Sequence, residues 1–185
     1  LLRIVAITGM PGAGKSTAAE ALVKRGWTRV VMGDVIRAET RRRGLEPSAK
    51  NTGEVMKSLR KEMGEAAVAQ LSLETIAKTG AERIVVDGIR SMTEVDAFKK
   101  RASVILVAVE ASPERRYELL RERGRADDPL TLEMFKERDL RELGVGIGEV
   151  IALADEMVSN EHDTPDKLAA EIAEVVDRWE GNVSA

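Results

Sequence analysis

Leu2-Arg3-Ile4-Val5-Ala6-Ile7-Thr8-Gly9-Met10-Pro11-Gly12-Ala13-Gly14-Lys15-Ser16-Thr17 decides how this chain is read. Its first part is a short apolar run rich in β-branched residues, which marks a buried strand. Its second part, Gly9 to Ser16, fits G-x-x-x-x-G-K-[ST] at every fixed position. Beyond it, Ala18, Ala19, Leu22 and Val23 fall at helical spacing, and Gly26 follows as a stop. Strand, glycine loop and helix in that order are the context of a P-loop.

The residue types follow from the ligand. A triphosphate packs several negative charges into a few ångströms, so the loop must present many backbone N–H donors at once. Gly9, Gly12 and Gly14 allow the required backbone angles and a close approach. The helix behind them adds the positive end of its dipole. Lys15 is placed to reach the β- and γ-phosphates, and the Ser16 hydroxyl to ligate Mg²⁺. Gly9, Met10, Pro11, Gly12, Ala13, Gly14, Lys15, Ser16 and Thr17 together form the expected nucleotide-binding stretch.

Further along, apolar runs alternate with helical patterns. Strands are expected at Arg29 to Met32, Arg83 to Val86, Val104 to Val109 and, weakly, Met157 to Ser159. A helix is expected from about Asp34 to Arg43, and a longer helical stretch from Ser48 to Lys78, broken near Gly64. Arg41, Arg42 and Arg43 read as a solvated helix end. Further helices are expected from Met92 to Lys100, from Pro113 behind the Ser112 cap to Arg123, from Thr131 to Leu143, and from Pro165 onward. Gly144, Gly146 and Gly148 suggest a flexible joint. Such alternation predicts a single α/β domain over residues 1–185 with a mostly parallel sheet, its ligand at the carboxyl ends of the strands.

Asp87 stands straight after an apolar strand, as a Walker B carboxylate does, and is the second Mg²⁺ candidate beside Ser16. The bland alternative is a helix cap. Asp34 has the same two readings, a reacting carboxylate or an N-cap. The 185 residues carry a formal net charge of -3 and only 3% aromatics, which argues against a nucleic-acid surface built on base stacking. The absence of cysteine excludes disulfides and thiolate metal sites. No apolar run suffices to cross a bilayer. A strand that starts at Leu2 leaves no room for a secretory signal, so the cytoplasm is the expected compartment, with no membrane partner.

Four features together resemble the nucleoside-monophosphate-kinase-like P-loop proteins: Gly9 to Ser16, Gly33-Asp34-Val35-Ile36-Arg37, Asp87-Gly88-Ile89-Arg90, and the arginines from Arg121 to Arg141. Adenylate kinases have a similar glycine-aspartate-x-x-arginine segment whose arginine holds the acceptor phosphate, a role the resemblance gives to Arg37. Their aspartate-glycine-x-proline-arginine segment is matched at Asp87, but here the proline is absent and Arg90 stands one residue closer. Over nearly its whole length the chain resembles a mainly archaeal P-loop family related to adenylate kinase and dephospho-CoA kinase. Asp127-Asp128-Pro129, Arg138-Asp139 and Gly146 to Ala152 belong to that likeness. The segment Ala154 to Asn160 is similar to the last strand and adenine-side loop of dephospho-CoA kinase.

The resemblance implies a three-layer P-loop NTPase fold, with a five-stranded parallel sheet ordered 2-3-1-4-5. It also implies a helical acceptor-binding insert at about 34–80 and a lid at about 124–144. ATP and Mg²⁺ are the implied cofactors, and a small-molecule phosphate acceptor, of nucleoside monophosphate or dephospho-CoA type, the implied partner. Lys15 would hold the donor, Arg123 and Arg125 would neutralise the transferring phosphoryl group, and Asp34, Arg37 and Arg90 would face the acceptor, with Asp34 as base if a hydroxyl accepts. The alternative is a nucleotide-dependent switch that hydrolyses ATP slowly, which a P-loop serves equally well. Asn160-Glu161-His162-Asp163 lacks the lysine of a guanine-reading N-K-x-D motif, and His162 reads as a solvated loop residue.

Overall fold

β1 (Arg3–Thr8) lies at the centre of one sheet, and every side chain from Ile4 to Thr8 is buried. A computed structural model describes residues 1–124, 128–162 and 164–183. After β1 come α1 (Lys15–Val23), β2 (Thr28–Val31), α2 (Met32–Arg42), α3 (Ala49–Met63), α4 (Ala67–Thr79), β3 (Arg83–Asp87) and α5 (Met92–Lys99). They are followed by β4 (Ser103–Glu110), α6 (Pro113–Arg123), α7 (Leu132–Gly144), α8 (Ile147–Ala152), β5 (Glu156–Ser159) and α9 (Pro165–Val183). Among the described residues the five strands form one sheet in the order β2-β3-β1-β4-β5, and each neighbouring pair is parallel. This is the expected order.

Parity along the strands divides the core into two layers. Ile4 and Ala6 join Val30, Ile84, Val86 and Leu106 on one face, covered by α2, α3, α4, α5 and α8. Val5 and Ile7 join Val85, Ile105, Val107 and Val109 on the other, covered by α1 and α9. A parallel sheet covered on both sides needs apolar residues at consecutive positions, which is why the strands read as unbroken runs.

The 34–80 insert is not a detached flap. Val55, Leu59, Val68 and Ile76 bury their stripes in the first core layer, and Gly64 separates α3 from α4 as expected. Arg43 donates to Glu39 at 2.8 Å, to Ser58 at 3.1 Å and to Glu62 at 3.0 Å, clamping α2 to α3. Only part of the triple arginine is therefore a solvated helix end. Hydrogen bonds from Arg42 and Arg43 hold the buried Glu39 carboxyl down at about 2.

Three local expectations need correction. α2 begins at Met32 with Val31 as its N-cap, so Asp34 lies inside the first turn and caps nothing. α5 is capped by a reciprocal Ser91–Glu94 box, so Asp87 caps nothing either. The glycine-rich joint is a closed turn. α7 runs through Gly144, the N–H of Gly146 donates to Leu143 O at 3.1 Å, and α8 starts at Ile147. Gly144 takes helical angles there, and only Gly146 uses the left-handed region, at φ 100°.

Candidate active site

The P-loop is braced from both sides by residues distant in sequence. Gly9 has φ 148°, and a Cβ built there would stand 2.3 Å from the carbonyl oxygen of Val109 at the end of β4. Gly14 has φ 110°, and a Cβ there would stand 2.6 Å from Asn160 Nδ2. Both positions therefore require glycine for space as well as for angle. Asn160 Nδ2 in turn donates to Ala13 O at 3.0 Å. The segment that superficially resembles a guanine-reading motif thus supports the loop, and Glu161 accepts from the Ser112 N–H at 2.6 Å at the start of α6. Asp163 lies outside the described residues.

Arg116 supplies the brace from α6. Its guanidinium is buried, donates to Pro11 O at 3.1 Å, and forms a two-pronged ion pair with Asp139 of α7 at 2.9 and 2.6 Å. It also lies 4.9 Å from the centre of the Phe135 ring. Removing one partner of a buried pair leaves the other charge uncompensated. Arg116→Ala is expected to cost about 3 kcal/mol or more of stability, read as a lowered melting temperature. A variant melting within a degree or two of the parent would show that the pair braces nothing.

Lys15 opens α1 and folds back over its own loop. Its ammonium donates to Gly9 O at 2.7 Å and Met10 O at 3.1 Å. Desolvation lowers its pKa from the ordinary 10.5 to about 8, against the opposing pull of Asp87 and Glu142. Ser16, one residue on, faces the same side of the sheet as Arg29 and Asp87. The β2–β3 register places Val31 beside Asp87, so Arg29, two residues earlier, points to the same face. Arg29 Nη2 donates to Ser16 Oγ at 3.2 Å and makes a short ion pair with Asp87 Oδ2.

The two Mg²⁺ candidates therefore converge on one cationic nitrogen, and a cation position exists between them. A hydroxyl and a carboxylate suit Mg²⁺, which takes one or two protein ligands and completes its shell with phosphate oxygens and water. Among the described residues no group of three or more acidic or histidine side chains forms a metal cage. The donor set thus fits a metal that arrives with its nucleotide.

From the P-loop a cavity of about 750 Å³ extends to α2 on one side and to α6 and α7 on the other. Asp34 and Arg37 line it and pair with each other at 2.5 Å and 3.1 Å. Arg90 lines it too, but its guanidinium donates to Glu142 of α7 at 3.1 and 3.4 Å. Arg123 and Arg138 form the opposite wall, and both pair with the buried Asp128. Arg121 instead lies over the Tyr117 ring, 5.8 Å from its centre. Neither Arg121 nor Arg141 lines the cavity, and among the described residues no ion pair joins Glu137 to Arg141. Arg125 lies outside the described residues.

The comparisons with known proteins agree with this geometry. A family described as AAA domain matches residues 8–136, from the end of β1 into α7. A UPF0200 protein of Hyperthermus butylicus is 46% identical over 158 residues, covering 85% of each chain. One from Methanocaldococcus jannaschii is 47% identical over 167 residues, covering 89% of this chain and 85% of its own. The chain belongs to the AAA-domain and UPF0200 families. Among solved structures, TT1252 from Thermus thermophilus superposes with a TM-score of 0.67 at 20% identity, covering 95% of this chain and 97% of its own. Shikimate kinase from Acinetobacter baumannii superposes with a TM-score of 0.57 at 18% identity, covering 95% and 93%. At such identities the likeness establishes the fold, which is that of the P-loop kinases.

Sequence reasoning missed Arg29, Arg116, Asn160 and Glu142. Arg29 carries one signal, a lone arginine inside an otherwise apolar strand. Arg116 carries none, since Arg115 beside it has the same charge and only packing separates them.

Proposed function

We propose that the chain transfers a phosphoryl group from ATP, with Mg²⁺, to a small phosphate-bearing acceptor of the nucleoside monophosphate or dephospho-CoA type. The observation that carries this reading is the extent of the cavity. It continues past the P-loop to Asp34 and Arg37, farther than hydrolysis of a nucleotide requires. Solved structures titled as a sugar kinase and a shikimate kinase share the fold, which supports the same reading.

Each residue then has a task. The loop amides and the start of α1 bind the donor phosphates. Lys15 exchanges its two backbone carbonyls for phosphate oxygens. Ser16 and Asp87 would hold Mg²⁺, which when bound neutralises charge across the β- and γ-phosphates. Arg37 clamps the acceptor phosphate, taking it in place of the Asp34 carboxylate, and Arg123 and Arg138 face the transferring group from above. A phosphate acceptor is already a nucleophile and needs no base. A hydroxyl acceptor would need one, and Asp34 stands in the cavity for that task.

Turnover of ATP is measured with and without nucleoside monophosphates and dephospho-CoA. We expect a rate that rises sharply with one acceptor. Arg37→Ala should raise the KM for a phosphate acceptor about tenfold to a hundredfold, as the loss of a charge-assisted contact does. For a hydroxyl acceptor, Asp34→Asn should instead lower kcat by about a hundredfold or more. Turnover indifferent to every acceptor but altered by a protein partner would replace this reading with a nucleotide-dependent switch.

A further inference from the structure

We propose that Arg29 is a built-in cation that fills the metal position of the nucleotide-free protein and must leave it when Mg²⁺ arrives, so that it sets how strongly nucleotide binding depends on metal. The inference rests on the P-loop reading above and concerns a residue to which that reading gives no task.

Three observations carry it. First, a single nitrogen, Arg29 Nη2, is shared by Ser16 Oγ and Asp87 Oδ2. A metal bound to both oxygens and this nitrogen would claim the same space. Second, Asp87 is buried, its side chain only 7% exposed, and Arg29 is the ion-pair partner found for it among the described residues. A buried carboxylate needs a positive partner, and the protein supplies one before any metal binds. Third, Arg29 Nε is itself buried with no hydrogen-bond partner. The guanidinium is therefore seated by one of its ends alone, which leaves its hold on the position incomplete.

The consequence is a competition. With Arg29 in place, Asp87 is already neutralised, and the nucleotide meets a positive group beside the P-loop even without Mg²⁺. Metal binding must first break the Arg29–Asp87 pair, so part of its gain is lost. Without Arg29, Asp87 faces the site as an uncompensated carboxylate, and metal and nucleotide should support each other more strongly. Linkage makes this measurable as one ratio, the dissociation constant of ADP in EDTA divided by that in saturating Mg²⁺.

The experiment measures that ratio by titration calorimetry for the parent chain, Arg29→Met and Arg29→Lys, with melting curves alongside. We expect the ratio in Arg29→Met to exceed the parent's by about tenfold. Arg29→Lys, which keeps the charge on a shorter stem that cannot reach both oxygens as the guanidinium does, should fall between them. If Arg29→Met melts too low to hold ADP, the lysine variant decides, and a ratio at least threefold above the parent's supports displacement. Adding Asp87→Asn to Arg29→Met should return the ratio to the parent's value or below. ADP bound with the same ratio in parent and variants would overturn the displacement and leave the P-loop reading intact. A parent chain that binds no ADP in either condition would overturn both.

Discussion

Lys15→Ala should lower turnover by about 10²–10³-fold or more while leaving the fold intact, because the contact it deletes strengthens as charge moves onto the transferring group. The fold should survive for local reasons. In the nucleotide-free protein Lys15 bonds only to Gly9 O and Met10 O, and it enters no ion pair among the described residues. Both carbonyls border the open cavity, where water can replace the ammonium, and alanine suits the first turn of α1. The residue also predicts a pH signature. With its pKa lowered to about 8 by desolvation, Lys15 loses its proton in the empty protein well below the ordinary 10.5. Between these values the unfolded chain holds the extra proton, so this group makes stability rise with pH across that window. Nucleotide binding runs the other way. It needs the ammonium, so affinity should fall as pH rises above about 8, with a proton taken up on binding. Lys15→Ala should remove that dependence. A folded alanine variant with normal turnover would sink the assignment of the site.

How far the sequence discloses this protein depends on whether its signal is local. Val104 to Val109 announces a strand by itself, because a strand covered on both faces leaves an uninterrupted apolar run. The P-loop is legible for the same reason, since all its fixed residues are contiguous. Ser91 and Glu94 carry a capping-box spacing as plain as either, yet attention on the neighbouring Asp87 hid it. α8 is a different case. Six residues give too little periodicity to separate a helix from a glycine-rich turn. The arginines are harder still. Arg29 gains its place only when β2 pairs with β3 in a particular register, and no window along one strand contains that register. Arg116 and Arg115 are adjacent and chemically identical, and the helix phase that buries one beneath Pro11 and Asp139 is set by packing. The acceptor end of the cavity was legible as Asp34 and Arg37. That Arg90 spends its guanidinium on Glu142 was not, because the partners lie 52 residues apart.

Arg123→Ala and Arg138→Ala are the second pair of variants with a large expected effect. The two guanidiniums reach one carboxylate, Asp128, whose side chain is 4% exposed. Arg123 donates to it from the last turn of α6, with Nε at 2.9 Å, and Arg138 from α7 at 3.4 Å. This arrangement joins the two ends of the lid segment and holds both cations on the cavity wall. Two readings of it differ greatly in size. As ordinary ion pairs near the surface, they would contribute about 0–1 kcal/mol to stability and nothing to rate. As groups that meet the transferring phosphoryl, each could contribute about 10³–10⁵ in rate, or roughly 4–7 kcal/mol of barrier. We expect the second for at least one of them. The shared carboxylate makes the test clean, since removing either arginine leaves Asp128 with the other. Melting temperature should therefore move by only a few degrees while turnover falls by about 10³-fold or more. Arg125→Ala belongs in the same series, as the remaining lid cation singled out by the sequence. Asp128→Asn is the control. It loosens both guanidiniums without deleting them, so it should lower stability more than either alanine variant and turnover less. Closure over bound substrates would also exclude water, so the parent should hydrolyse ATP slowly when no acceptor is present. Near-normal rates in all three alanine variants would return this wall of the cavity to a structural role.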